Sequence, residues 1–389
     1  MRAEKAHFLR IDTLRGIAIL MVFLFHFSLT VHQRDSRLAS DSVLPGSLSW
    51  ILDFHKIGVL GVPLFFVISG FCIHYSFLSW KKRSPGRPVP QFFRGFFHRR
   101  FWRIVPPYLI ALLCFYFVKT PQPFNKEHLS NLLPHLALTN TLIEGQFFQI
   151  NPSFWSVAVE WQLYLAYPLV LWMFLRFGPV KAFVAATIVS AVFRFYMPVW
   201  GAPFWVQNLP FRWWYDWTIG VFIAASWADR RRLFPNSIWV GVGLAALTYY
   251  AVLYSGWAVL RWIMPPLFFA YLVEACVWST RPVGKLARGA ALVGVCSYSL
   301  YLWHQPMMHW IVSYYAHTVA SSGPIRIWIG LCTVLFAIVL VVAALSYFLI
   351  EKPSIAVGHW SLGAYRARKA AAQRATASEN LSPLPANPE

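Results

Sequence analysis

Acidic residues are few in this sequence: 14 Asp and Glu against 34 Lys and Arg in 389 residues, with 12% of positions charged. A soluble globular chain of this length carries about twice that charged share, so a water-soluble domain is excluded. The five cysteines, Cys72, Cys114, Cys276, Cys296 and Cys332, all fall inside apolar runs. They show no CxxC spacing and no loop cysteine, so neither a disulfide framework nor a metal site is expected from them. Regular apolar/polar alternation is missing too, and with it the membrane β-barrel. The surplus positive charge lies between apolar runs rather than on a basic face interleaved with acids, so nucleic acid is not an expected partner.

What the chain has is apolar length. At 58% hydrophobic, it contains many runs near the 20 or so residues that cross a bilayer as helix. Lipid offers backbone groups no partner but each other, so the expected fold is an all-α, polytopic integral membrane bundle. We place ten transmembrane helices near residues 10–31, 56–79, 99–118, 153–175, 180–199, 211–228, 237–255, 259–279, 291–312 and 326–350. The first has a basic lead and no small-x-small cleavage site before His32, so it reads as an uncleaved span. With both termini cytoplasmic, most Lys and Arg fall on the inner side, eight of them between residues 81 and 103, as cytoplasmic loops require. The segment 131–143, apolar but short and interrupted by Pro134, is expected to re-enter or lie at the interface. After about residue 353 the sequence turns polar and rich in Ala, Ser and Pro, so 354–389 reads as a disordered cytoplasmic tail.

The run "LRGIAILMVFLFHF", residues 14–27, puts Arg15 and His26 in one apolar helix. Eleven residues are three turns plus roughly 20°, so both project from one face about 16 Å apart. Ionisable groups inside a membrane are costly and default to facing a cavity or a partner. Two readings stand for each: Arg15 lines a pathway or pairs with Asp12 and the inner headgroups, and His26 is a base or a packing group. Glu160, in "NPSFWSVAVEWQLYLAYP", lies about 10 Å from the outer boundary by rise per residue, level with His26. A carboxylate beside an imidazole is the base-plus-orienter pair of acid–base chemistry, or else a structural ion pair. His304, in "SYSLYLWHQP", reaches a similar level as acceptor contact or interhelical glue. Arg99, Arg100 and Arg103 open the third span, the last two on one face at i, i+3. Their guanidiniums suit phosphates, and they equally suit inner-side anchoring. His74 lies near the depth of Arg15, in a packing role or at the inner mouth. A phosphate-binding inner mouth and a base farther out match a coenzyme A thioester, whose pantetheine arm is comparable to the 16 Å or so between Arg15 and His26.

In "RIDTLRGIAILMVFLFH", "GVPLFFVISGF", "RRFWRIVPPY", "FWSVAVEWQLYLAYP", "SYSLYLWHQP" and "FLIEKP", in this order, the chain resembles the acyltransferase 3 family of membrane proteins. The likeness covers residues 8–353 or so. It implies a transmembrane acyltransferase domain over 1–353, ten core helices, and transfer of an acyl group, usually acetyl, from cytoplasmic acyl-CoA to an acceptor hydroxyl. It also implies that Arg15 and His26 are essential and that Arg100 and Arg103 lie near the donor. Acyl-CoA would be a co-substrate rather than a resident cofactor, and no metal is expected. The acceptor would be a sugar, glycan or lipid-linked sugar at the plasma (inner) membrane of a bacterium, in contact with membrane lipids. The sequence shows no SGNH-type esterase domain after the last span, so direct action on a smaller or lipid-linked acceptor is expected.

The expected mechanism has neutral His26, oriented by Glu160, take the acceptor's proton, with Arg15, Arg100 and Arg103 holding the donor; His26 as the nucleophile is a second route. "FRWWYDW", at 211–217, offers Trp213 and Asp216 as a sugar-stacking platform or as interfacial anchors. The alternative function is a proton-coupled exporter with His26, Glu160 and His304 as relay and Arg15 on an anionic substrate. The lack of an internal repeat speaks against a transporter built from inverted halves.

Overall fold

A computed structural model describes residues 2–34, 57–120, 124–315 and 324–379. Their regular structure is helical: α1 (Arg2–Arg34), α2 (Gly61–Arg83), α3 (Val89–Lys119), α4 (Lys126–Leu136), α5 (Phe154–Phe177), α6 (Pro179–Ala191), α7 (Trp214–Ala228), α8 (Ile238–Leu253), α9 (Ala258–Trp278), α10 (Lys285–Val295), α11 (Ser297–Tyr315), α12 (Pro324–Ser346) and α13 (Lys352–Glu379). Two π-turns interrupt it, Val192–Tyr196 after α6 and Tyr347–Glu351 between α12 and α13. Seven of the described helical segments are long and apolar enough to cross a membrane. Of the other three expected spans, 211–228 and 237–255 are the shorter helices α7 and α8, and 291–312 is broken at Cys296 between α10 and α11. Residue 56 and the tail end 380–389 lie outside the described residues.

Exposed apolar side chains run in stripes three or four residues apart: Leu165, Leu169 and Trp172 on α5, Val180, Val184 and Ile188 on α6, Val334, Ile338, Val341 and Leu345 on α12. Such stripes face lipid, since water would leave them unburied. Inward, large rings fill the bundle, with Trp217, Tyr108, Tyr116, Tyr164 and Tyr167 fully buried.

Two helix pairs close most tightly on glycine. A Cβ on Gly16 would stand 1.9 Å from the Ala290 carbonyl oxygen, and one on Gly294 1.8 Å from that of Asp12, so α1 and α10 touch backbone to backbone. Gly70 and Gly220 do the same for α2 and α7, each with 2.0 Å to the facing carbonyl. Without a hydrophobic drive between helices in lipid, such close approach is a main source of packing energy.

Prolines inside helices free carbonyls four residues back, and side chains from elsewhere collect them. Pro106 releases the Trp102 carbonyl, to which the Ser354 hydroxyl donates. That bond begins the docking of α13 on α3. His98 Nε2 reaches Gly358 O at 3.0 Å and Ser361 Oγ at 2.9 Å, and the Arg94 guanidinium lies 3.9 Å over the Tyr365 ring. Where the tail composition pointed to disorder from 354, helix runs to Glu379. Docking holds its first turns, and Ala-rich sequence such as "ARKAAAQ" carries high helix propensity beyond them.

The segment 131–143 forms the end of α4 and a 3-10 turn, Asn140–Leu142. Eleven residues of helix reach about 16 Å, half a bilayer core. It folds back onto the bundle: Tyr108 OH donates to His135 O at 2.9 Å, and Gln162 Nε2 donates to Leu138 O at 3.0 Å and Thr141 Oγ1 at 2.9 Å.

Candidate active site

His304 is placed by the turn before α5. Pro306 releases the Leu302 carbonyl, and Asn151 Nδ2 donates to it at 3.1 Å. Asn151 Oδ1 also accepts from the Ser153 amide at 3.0 Å, and the Ser153 hydroxyl donates to Gln305 Oε1. Residues on both sides of the buried His304 are therefore fastened to the start of α5. His304 Nδ1 lies 2.7 Å from the Tyr301 carbonyl, and its Nε2 lies 3.0 Å from His26 Nδ1. The same His26 nitrogen lies 3.0 Å from the Val22 carbonyl.

These contacts assign the tautomers. A carbonyl only accepts, so His304 Nδ1 carries the proton, and neutral His304 offers Nε2 as an acceptor. His26 Nδ1 must then donate, shared between Val22 O and His304 Nε2. The lone pair of His26 is left on Nε2, turned away from both partners.

A cavity opens on the side of Arg15. Arg15, Arg100, Arg103, Glu160 and Tyr164 line it, together with Ser69 and Cys72 of α2 and Tyr298 and Tyr301 of α11. Arg15 donates from NH1 to Asp12 Oδ1 at 2.8 Å and from NH2 to Cys72 Sγ at 3.4 Å, so it both pairs with Asp12 and faces the cavity. Arg100 lies 5.2 Å over the Tyr164 ring. Arg103 feels the charge of Glu351, which is 1% exposed and accepts from Ser299 Oγ at 2.7 Å. Arg99 is half-buried and outside this lining. The histidine pair stands one side chain beyond: Tyr301 lines the cavity, and its ring centroid is 5.4 Å from that of His304.

Glu160 does not orient His26. It accepts from Ser69 Oγ at 3.1 Å and from Tyr164 OH, one turn along its own helix, and so belongs with the arginines. His304 takes the place beside His26 in which Glu160 was expected. His74 is buried with Nδ1 3.0 Å from Tyr167 OH.

Trp213 packs between Trp155 and Phe66, at centroid distances of 5.3 and 5.4 Å, and Phe66 is part of the cavity wall. Asp216 is buried, its Oδ2 3.6 Å from Arg194 NH2. It faces a cation rather than an acceptor hydroxyl. Sequence reading missed Glu351, Tyr164, Ser69 and Arg194. Glu351 stands in "FLIEKP", one of the stretches that carry the family likeness, and that was its one signal.

Fold and site together define a polytopic helical membrane protein with arginines and a carboxylate around an intramembrane cavity. The chain belongs to the acyltransferase 3 family, whose model, described as an acyltransferase domain, matches residues 8–348. It is 24% identical over 381 residues to O-acetyltransferase OatA of Staphylococcus aureus, covering 88% of this chain and 56% of that protein. Similarity to peptidoglycan O-acetyltransferase OatA of Listeria monocytogenes is 24% over 385 residues, covering 88% and 55%. The putative membrane-bound transacylase BcsY of Komagataeibacter xylinus is 25% identical over 377 residues, covering 89% and 82%. The chain spans little more than half the length of the OatA relatives. No solved structure matches it.

Proposed function

We propose that this chain is a membrane O-acyltransferase that moves an acyl group from acyl-CoA to a hydroxyl of a sugar, glycan or lipid-linked acceptor at a bacterial plasma membrane. The names of the relatives favour acetyl, and that of the Listeria protein favours a peptidoglycan acceptor. The observation that carries the reading is the chain from the Tyr301 carbonyl through His304 to His26, which leaves an unprotonated Nε2 on His26.

In this reading His26 Nε2 takes the proton of the acceptor hydroxyl, whose oxygen attacks the thioester carbonyl. The carbon–sulfur bond then breaks, and the proton passes from the imidazolium to the departing thiolate. His304 is a positioning residue: it fixes which nitrogen of His26 is basic and accepts from the other while charge develops on the ring. Arg15, Arg100 and Arg103 bind the anionic end of the donor, and Glu160 with Tyr164 holds the guanidiniums apart. No resident cofactor or metal enters any step.

The test is protein in lipid nanodiscs with acetyl-CoA, free thiol read with and without sugar and lipid-linked glycan acceptors. Thiol release should depend on acceptor and fall at least about 100-fold in His26→Ala, the low end of what a positioned base supplies. An active alanine variant overturns the reading. Movement of a labelled saccharide across the membrane with no thiol released would point instead to export.

A further inference from the structure

Beyond the cavity, on the far side of Trp213, two arginines face one carboxylate. The π-turn Val192–Tyr196 brings Arg194 inward, 3.6 Å from Asp216, with its side chain 19% exposed and that of Asp216 3%. Its guanidinium lies 5.3 Å over the Trp213 ring and 5.9 Å over that of Trp262. Arg212 joins from the turn before α7, 6.0 Å over Trp213. Arg194 Nε and NH2, Arg212 Nε, Trp213 Nε1 and Asp216 Oδ2 are all buried without a hydrogen-bond partner. Arg194 NH2 and Asp216 Oδ2 have only each other, as an ion pair at 3.6 Å, and the remaining three atoms are donors with no partner, above the usual rate for one cluster. One carboxylate for two guanidiniums leaves one positive charge in a low-dielectric place, where an uncompensated ion is costly. A π-turn that aims a cation into such a cluster is a common mark of a functional position.

We infer that Arg194 and Arg212 form a subsite for an anionic group, carboxylate or phosphate, on the acceptor. Trp213, packed between Trp155 and Phe66, is the aromatic wall on which both guanidiniums rest, and the donors left over donate to the anion. The subsite rests on the reading of this chain as an acyltransferase, but its occupancy is measurable without turnover.

Binding by calorimetry, in phosphatidylcholine nanodiscs, compares a neutral oligosaccharide with the same oligosaccharide ending in a uronic acid or a sugar phosphate. The acidic forms should bind about tenfold tighter, the ordinary scale for a charge-assisted contact. Arg212→Gln should bring the ratio to about one, and Arg212→Lys should keep part of it. Asp216→Asn should raise the ratio, because the competing carboxylate is gone; a purely structural Asp216 would not. Monodisperse elution of each variant shows that it has folded. Equal affinity of the unmodified protein for neutral and acidic sugars overturns the subsite, and so does a ratio that Arg212→Gln leaves intact. Loss of the preference on adding phosphatidylglycerol assigns the arginines to lipid headgroups and overturns the acceptor role. Acid binding with no thiol released from any donor would overturn acyl transfer and leave the subsite standing.

Discussion

The two polar clusters differ in how their charges are answered. At the cavity, Arg15 has Asp12 at 2.8 Å, Arg103 has Glu351 within reach of its field, and Glu160 stands in the lining beside Arg100. At the cluster beyond Trp213, Arg194 and Arg212 share Asp216. Each cluster uses a π-turn: Tyr347–Glu351 delivers an acid to the arginines of the cavity, and Val192–Tyr196 delivers an arginine to an acid. In the proposed reaction the cavity holds its cations in place while the anionic end of the donor comes and goes. The proposed subsite at Asp216 is incomplete until an anion arrives. Preorganisation and charge deficit are thus separate devices in one bundle, and they call for different perturbations.

The largest effect should come from the carboxylate that answers Arg103. Glu351→Ala leaves the buried Ser299 hydroxyl without its charged acceptor and removes the negative charge whose field reaches Arg103, a loss of about 1.5–3 kcal/mol. Thermal unfolding in nanodiscs checks it, and an unshifted transition would mean that Glu351 answers no charge. Next is His304→Ala, which lets the His26 ring choose its tautomer; the maximal rate should drop about 10- to 100-fold, with the KM for donor little moved. Equal loss in both parameters would make His304 a packing residue. Arg103→Ala should raise the KM for acyl-CoA about tenfold and leave the acceptor KM alone, which separates the cavity from the Asp216 cluster.

The smallest effect lies outside the spans, at His135. It is fully buried, its Nδ1 donates to Asn131 O at 2.7 Å, and burial pushes its pKa below the ordinary imidazole value. The unfolded chain therefore binds a proton below about pH 6.5 that the folded chain refuses, so stability is lost as pH falls through that range. His135→Gln should flatten the slope of melting temperature between pH 7.5 and 5.5, and an unchanged slope would place the acid sensitivity elsewhere.

Helical arithmetic reads along one helix well. The shared face of Arg15 and His26, the i, i+3 pair Arg100 and Arg103, and the short 131–143 segment all follow from rise and period. It reads poorly between helices. Glu160 was placed level with His26 by depth, but depth fixes one coordinate and leaves the rotation of α5 open; the Ser69 and Tyr164 hydroxyls settle that rotation. Arg194 gave no signal in the sequence because hydropathy cannot see a π-turn. His304 was legible as a polar group in a span, but its pairing with His26 depends on how Asn151 and Gln305 fasten α11 to the start of α5, and no local pattern shows that.

The glycine seams have a mechanical side. Asp12, which holds Arg15, lends its own carbonyl to the contact with Gly294, so the residue that orients the arginine is part of the weld between α1 and α10. Sliding α1 along its axis would drive Ala290 and Gly294 into backbone within a fraction of a residue's rise. That helix is a stator: in the proposed reaction the donor's slender arm moves between Arg15 and His26 past a fixed rail.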